Sequence, residues 1–297
     1  MTDTTLQPAI QIEEIKGRSL WSDARSRLLR NHAAVASLAV LGFMILACFV
    51  GPNLLEHPFD EVYWDYISAP PNIEAGFYFG TDDNGRDILS RTLYGGRISL
   101  IVGFVATLVS LVIGVTWGAL AGFVGGRVDS IMMRIVDVLY SLPFIFLVII
   151  MMVVFGRLFI LIYLGVGAVS WLDMARIVRG QTVSLKRKEF IEAAHAGGVS
   201  TWMIVWRHVI PNTLGIVIVY ITFTVSQVII LESFLSFLGL GIQEPYTSWG
   251  VLISQGAKTM DTAWWALIFP AIFLSVTLFA LNFIGDGLRD ALDPKDR

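Results

Sequence analysis

ISLIVGFVATLVSLVIGVTWGALAGFVGG, residues 98–126, runs for 29 residues without a charged side chain. A helix rising about 1.5 Å per residue crosses the roughly 30 Å hydrocarbon core of a bilayer in about 20 residues, so this stretch is long enough to span. Working outward, five further charge-free runs cover residues 33–51, 138–156, 158–172, 209–231 and 262–285. The run at 158–172 is short. Arg157 at one end and Arg176 and Arg179 at the other can snorkel, which extends it to a spanning helix over about 158–177. The expectation is an all-α integral membrane protein with six transmembrane helices. Composition agrees: of 297 residues, 55% are hydrophobic and only 15% are charged, against about 25% charged in soluble domains. Too few polar side chains remain to tile a water-facing surface.

Charge excludes other classes and orients the chain. A net charge of −3 offers no basic field for nucleic acid. Cys48 is the only cysteine, so no disulfide forms within the chain. Six spans divide the 21 Lys and Arg into 16 on the side of the two termini and 5 on the other, which predicts cytoplasmic termini. Residues 1–32 hold no apolar core, and the first run follows Arg25, Arg27 and Arg30, so it is expected to stay as an anchor. The expected organisation is an N-tail at 1–32, an anchor at 33–51 and an outer loop at 52–97. A transmembrane domain at 98–285 with a cytoplasmic loop at 178–211 and a C-tail at 286–297 follow.

Enzymatic machinery is not expected. No lysine follows a glycine, so there is no phosphate-binding loop, and no GxGxxG occurs. The four histidines lie outside the apolar runs without HExxH spacing, which leaves no zinc site and no catalytic residue to name. Asp82–Asp87 resembles a calcium loop only until it is aligned on Gly85, which places Gly80 and Arg91 at two ligand positions. In the cytoplasmic loop, Ser184–Ala196 is expected as one helix with Gly197-Gly198 as its left-handed exit. Thr201–Ile210 is expected as the next, capped by Ser200 and closed by Pro211.

That loop contains Glu192-Ala193-Ala194-His195-Ala196-Gly197-Gly198 and then Val209-Ile210-Pro211-Asn212. It resembles the EAA signature of ATP-binding-cassette import permeases, in which a helix-turn-helix fits a groove on an ATPase subunit. Small residues permit the close approach such docking needs. The resemblance assigns coupling to Glu192, Ala193, Ala194, Gly198, Pro211 and Asn212; an ordinary amphipathic hairpin is the plainer alternative. A bulkier residue is usual at Gly197. The stations Gly80-Thr81-Asp82, Gly85-Arg86-Asp87, Ser90-Arg91, Gly95–Leu100, Leu235–Gly241 and Asn282–Pro294 are similar to the branch that imports dipeptides, oligopeptides and nickel. The match is closest to the second permease subunit of oligopeptide importers.

Several expectations come with the resemblance. They are a type I importer permease fold, alternating access, a bacterial inner-membrane location and oligopeptide cargo. The implied partners are a homologous second permease, two ATPase subunits, an extracytoplasmic binding protein and membrane lipid. No cofactor is implied on this chain; ATP and Mg would sit on the ATPases. Thr81, Asp82, Arg86, Asp87 and Arg91 are expected to brace the outer mouth and receive the binding protein, or else to form a solvated loop of Asx turns. Gln227, Glu232, Ser233 and Ser236 are candidates for a polar path, although serine in spans more often packs helices and Glu232, at the end of its span, is read first as a structural anchor. Asp137 is expected as an anchor paired with Arg134, and Trp264 and Trp265 as interfacial anchors. The competing functional class is an ion-coupled secondary transporter, which mid-span acids and inverted repeats would favour.

Overall fold

A computed structural model of the chain describes residues 20–155 and 159–292, and the regular elements among them are all helical. Lys16, Arg18, Arg157, Lys295 and Arg297, used above to orient the chain, lie outside the described residues. Helices α1 (Leu20–Arg30) and α2 (His32–Val50) meet at Asn31, whose side chain caps α2 by accepting from the Ala34 amide at 3.1 Å.

Helix α3 (Ile88–Val124) is the axis of the molecule, 37 residues and about 55 Å long. It starts ten residues before the charge-free run, so the non-helical segment ahead of it ends at Asp87, not at residue 97. Charge did not stop it: Arg91 is buried in an ion-pair network and Arg97 stacks over the Phe49 ring at 5.5 Å. Helix α6 (Phe159–Leu185) lies along α3. Gly114, Gly118 and Gly122, four residues apart, bring the two backbones together. A Cβ on Gly114 would sit 2.6 Å from Met174 Cβ, and one on Gly118 would run into the Ala175 carbonyl. This is small-residue helix packing of the membrane type.

The third apolar run is not one helix. Leu142 takes extended backbone ahead of Pro143, because proline pushes its predecessor out of the helical region. The break separates α4 (Gly126–Ser141) from the twelve-residue α5 (Phe144–Phe155). Two ion pairs fasten α4 to α6: Arg179 clasps Asp129 at 2.5 and 2.6 Å, and Arg176 reaches Asp137 at 2.8 Å. Asp137 therefore pairs across helices with Arg176 instead of along its own helix with Arg134. The Arg179 hydrogen bonds hold the Asp129 carboxyl below the usual carboxylate range.

After α6 come α7 (Glu189–Ala196), α8 (Thr201–Ile204) and a π turn at Val205–Val209. α9 (Ile210–Phe237), α10 (Trp249–Lys258) and α11 (Trp265–Leu292) complete the chain. α9 packs on α3, and α11 on α2, α9 and α10. Among the described residues four helices are long and apolar enough to cross a membrane: His32–Asn53, Ile88–Val124, Thr201–Phe237 and Trp265–Leu292.

Candidate functional site

The two motif-bearing regions sit at opposite ends of α3. At its C-terminal end, Phe123 and Val124 share a groove with Lys186, Ile191, Glu192, His195 and Thr201. The expected helix over 184–196 is in two pieces, because α6 runs to Leu185 and α7 starts only at Glu189. The exposed Lys186-Arg187-Lys188 turn separates them. Ile191 anchors α7 in the apolar cluster of Phe123, Ile204 and Val205. The exit from α7 follows the glycine pair. Gly198 adopts φ +78°, its amide bonds to the His195 carbonyl at 3.0 Å, and the Val199 amide reaches the Ala194 carbonyl at 3.1 Å. Those two bonds form a Schellman turn, and the left-handed φ is why residue 198 favours glycine.

Pro211 does not close the following helix. Helix runs unbroken from Thr201 to Phe237, with Pro211 in the first turn of α9. The π turn supplies the reason: its wider ring, with the Ile210 amide on the Val205 carbonyl, leaves room for a residue without an N–H. The Asn212 side-chain amide donates to the His208 carbonyl at 2.6 Å, as a further bond across this join. Glu192, Ala193, Gly198, Pro211 and Asn212 are all exposed, whereas Ala194 is half-buried against the apolar cluster that holds Ile191. Around them Phe190, Trp202, Met203 and Trp206 are exposed apolar side chains, Trp202 at 58%. The Trp202 and Trp206 rings pack edge to face at 5.7 Å. Charged rim, small central residues and uncovered aromatics make a surface suited to burial against another protein.

At the other end of α3 the Thr81–Arg91 motif is neither solvated nor a simple loop. Arg91 is fully buried, and Thr81, Asp82, Arg86 and Asp87 are buried with it. Asp82 accepts from the Asn84 and Arg86 amides, each at 2.9 Å, and from Arg86 Nε at 2.8 Å. Arg91 Nε lies 3.4 Å from the same carboxylate as an ion pair. Arg86 and Gln255 both donate to Glu244 Oε1, at 3.1 and 2.9 Å, and Arg91 donates to Gln255 at 3.2 Å. Burial opposes the Arg86 charge, but the Asp82 and Glu244 carboxylates outweigh it and hold the guanidinium above its ordinary pKa. The Arg86 hydrogen bond in turn keeps Glu244 below the usual carboxylate range. Asp87 caps α3 by accepting from the Ser90 amide at 2.7 Å, yet burial pushes its carboxyl up. Thr81 donates to the Tyr66 carbonyl, and its own carbonyl accepts from Trp265 Nε1 at 3.0 Å. Trp265 is thus a buried strut rather than an interfacial anchor; Trp264 remains exposed.

The polar-path candidates separate. Glu232 lies inside α9, which continues to Phe237, and it is fully buried. Ser236 donates to its carboxylate at 2.7 Å and Ser99 at 3.1 Å, tying α9 to α3. Ser99 accepts from the first amide of α10, at Trp249, at 3.3 Å. Ser233 is buried beneath Gly250. Glu232, Ser233 and Ser236 are therefore packed where α3, α9 and α10 meet. Gln227 alone of the four is exposed, and it lines an open cavity between α6 and α9.

The family model for the binding-protein-dependent transport system inner membrane component matches residues 114–297. The chain belongs to this family. A second model, the N-terminal TM domain of oligopeptide transport permease C, matches residues 19–71. The oligopeptide transport system permease protein OppC of Escherichia coli strain K12 is 57% identical, covering 99% of this chain and 97% of that protein. OppC of Haemophilus influenzae is 53% identical over 99% and 96%. The dipeptide transport system permease protein DppC of Bacillus subtilis is 46% identical over 94% and 87%. The protein is accordingly a multi-pass inner membrane permease subunit of the ATP-binding-cassette class, a non-catalytic membrane component.

Sequence reasoning missed Glu244 and Gln255, which join the permease brace from 158 and 164 residues away. No local pattern announces such partners. It also passed over Gly114, Gly118 and Gly122, whose spacing of four was a readable signal. Replacing Arg86 by methionine is expected to lower permease stability by about 1–3 kcal/mol, since it removes one of the two guanidiniums facing the buried Asp82 carboxylate and leaves Arg91 and two backbone amides to hold it. Glu244→Gln should cost about 1 kcal/mol or less, because that side chain is 53% exposed. Thermal unfolding of the detergent-solubilised protein checks both, and equal midpoints for wild type and Arg86→Met would show that the cluster does not brace the fold.

Proposed function

We propose that this permease subunit carries oligopeptides inward by alternating access, as one half of a path completed by a homologous second permease. The carrying observation is the 57% identity to the E. coli oligopeptide permease across 97% of its length. In this reading α7 and α8 dock on one of two ATPase subunits, which hold ATP and Mg, and an extracytoplasmic binding protein delivers peptide to the opposite end. Glu192 orients the docked surface, and Ala193, Ala194 and Gly198 allow close approach. Pro211 and Asn212 sit where α8 joins α9, so displacement of the docked hairpin is passed directly to a 37-residue spanning helix. The Arg86–Asp82–Glu244 brace holds the outer mouth while that helix moves.

The test is uptake of a labelled tripeptide by a strain whose only such transporter contains this chain, with the complex purified and its subunits identified by mass. Uptake should stop when ATP is depleted, with ATPase and second permease subunits co-purifying. Uptake that persists on a proton gradient alone would return the ion-coupled reading.

The proposed topology has six spans, with α5 and the start of α6 completing the four long apolar helices, and both termini cytoplasmic. After Cys48→Ala, a cysteine at the exposed Glu74 should react with an impermeant reagent outside intact cells, and one at Arg187 should react only in opened cells. Labelling of both from one side would rule this topology out.

A further inference from the structure

Helices α6 and α9 enclose between them a cavity of about 320 Å³, whose polar lining is Ser170, Asp173, Arg176, Tyr220, Thr224 and Gln227. It lies near the middle of both helices: Asp173 is fourteen residues into α6 and Thr224 fourteen into α9. Each is therefore about 20 Å along its helix. The face of α6 that carries Ala175, Val178 and Thr182 is sealed against Gly118 and Gly122 of α3, with Met174 between that seam and the cavity, so the cavity opens away from the seam.

The charges in this wall are unequal. Arg176 is committed, paired with Asp137 at 2.8 Å and stacked over the Tyr140 ring at 4.3 Å. Asp173 is exposed, and among the described residues it has neither a hydrogen bond nor an ion pair. On the six-span reading α6 leaves the membrane near residue 177, so Asp173 stands about one turn inside the end of its span, where an uncompensated carboxylate is disfavoured against hydrocarbon and faces water or a polar ligand. Tyr220 and Gln227, both exposed beside it, offer the hydroxyl and amide groups that suit a peptide backbone.

We propose that this cavity forms part of the wall of the translocation path and that Asp173 is a specificity-determining residue. It favours passage of peptides bearing cationic groups over peptides bearing acidic side chains. The proposal rests on reading the chain as a peptide permease. Ammonium and guanidinium groups in transit gain a carboxylate at contact distance, while a glutamate side chain meets a like charge, and the Arg176 guanidinium in the same wall is offset in part by its pair with Asp137. Gln227 and Tyr220 act on the backbone, which every peptide shares, and so set throughput without sorting cargo by charge.

The experiment uses the complete transporter in intact cells and compares initial uptake rates of a lysine-containing and a glutamate-containing tripeptide. Any preference of the delivering protein cancels when variant and wild type are compared. Asp173→Asn is expected to lower the lysine-to-glutamate rate ratio by about 25-fold, about fivefold from the attraction lost to lysine and about fivefold from the repulsion lifted from glutamate, the factor one charge pair at contact distance is worth in a water-like medium. Asp173→Lys is expected to move it further in the same direction, and Gln227→Ala to lower both rates together. An unchanged ratio for Asp173→Asn, with uptake intact, overturns the proposal. Loss of the second permease from purified Asp173→Asn complex would assign the carboxylate to a subunit interface and also overturns it. If Asp173→Asn carries neither peptide and Asp173→Glu restores both equally, the charge serves the transport cycle and not selection, which is again a refutation. A wild-type complex that takes up neither peptide would refute the functional reading itself, a result separate from any of these.

Discussion

Gly118→Leu should leave little folded permease in the membrane. Its new Cβ would run into the Ala175 carbonyl and stand 2.9 Å from the Arg179 amide, atoms of a helix backbone that cannot rotate aside. Overpacking a core usually costs about 1–3 kcal/mol, with larger values where the neighbour cannot yield. Here α3 and α6 would have to separate, and with them the Arg179–Asp129 and Arg176–Asp137 pairs that position α4. Against a total stability of roughly 5–15 kcal/mol, that separation is enough to remove most of the protein to quality control. Gly180→Leu, on α6 with nothing within 4 Å of where its Cβ would stand, is the matched control and should reach normal abundance. Immunoblots of washed membranes and monodispersity in detergent distinguish the two. Equal, normal amounts of both variants would show that the glycine spacing is not what packs α3 on α6.

Peptide uptake should fall by about tenfold to a hundredfold with Ala193→Trp or Gly198→Leu, while membrane abundance stays at the wild-type level. A bulky side chain at a packed contact costs about 1–3 kcal/mol, and each 1.4 kcal/mol is a factor of ten in affinity. Ala193 is exposed, so a tryptophan there adds bulk to the docking surface without touching the core. Gly198 has open space around it but a φ of +78°, so leucine there is penalised in backbone conformation, by about 1–2 kcal/mol, as well as in bulk. Gly198→Asn separates these effects, because asparagine tolerates the left-handed region; it should keep most of the uptake that leucine loses. Ala194→Trp is a poorer probe, since Ala194 is half-buried and its replacement would disturb the hairpin as well as the docking. Purified Ala193→Trp complex should lose ATPase subunits. Retention of both subunits and uptake in Ala193→Trp and Gly198→Leu would remove α7 from the coupling role.

Local pattern explains what could be read early. The EAA stretch, its glycine exit and the Ser200 cap were legible because each depends on residues within one turn of one another. Pro211 misled for a physical reason: a proline ends a helix only if the bond it deletes is not replaced, and the π turn before it re-routes that bond. Glu232 needed its partners to be read. An acid near a span looks functional until the serines of α9 and α3 are seen donating to it, and Ser99 stands 133 residues away in the chain.

The amino-acid sequence by itself determined that the chain lives in a membrane, that it is helical and which end carries the family hairpin. Run length and short motifs act over a few turns, and hydrocarbon admits few alternatives to helix. Tertiary structure alone decided which acids are paired and which are free. Asp137 goes to Arg176, Asp82 to Arg86 and Arg91, and Glu232 to its serines, which leaves Asp173 facing an open cavity. A charge's role depends on what lies within a few ångströms of it, and in a bundle of long helices those neighbours come from segments tens to hundreds of residues apart.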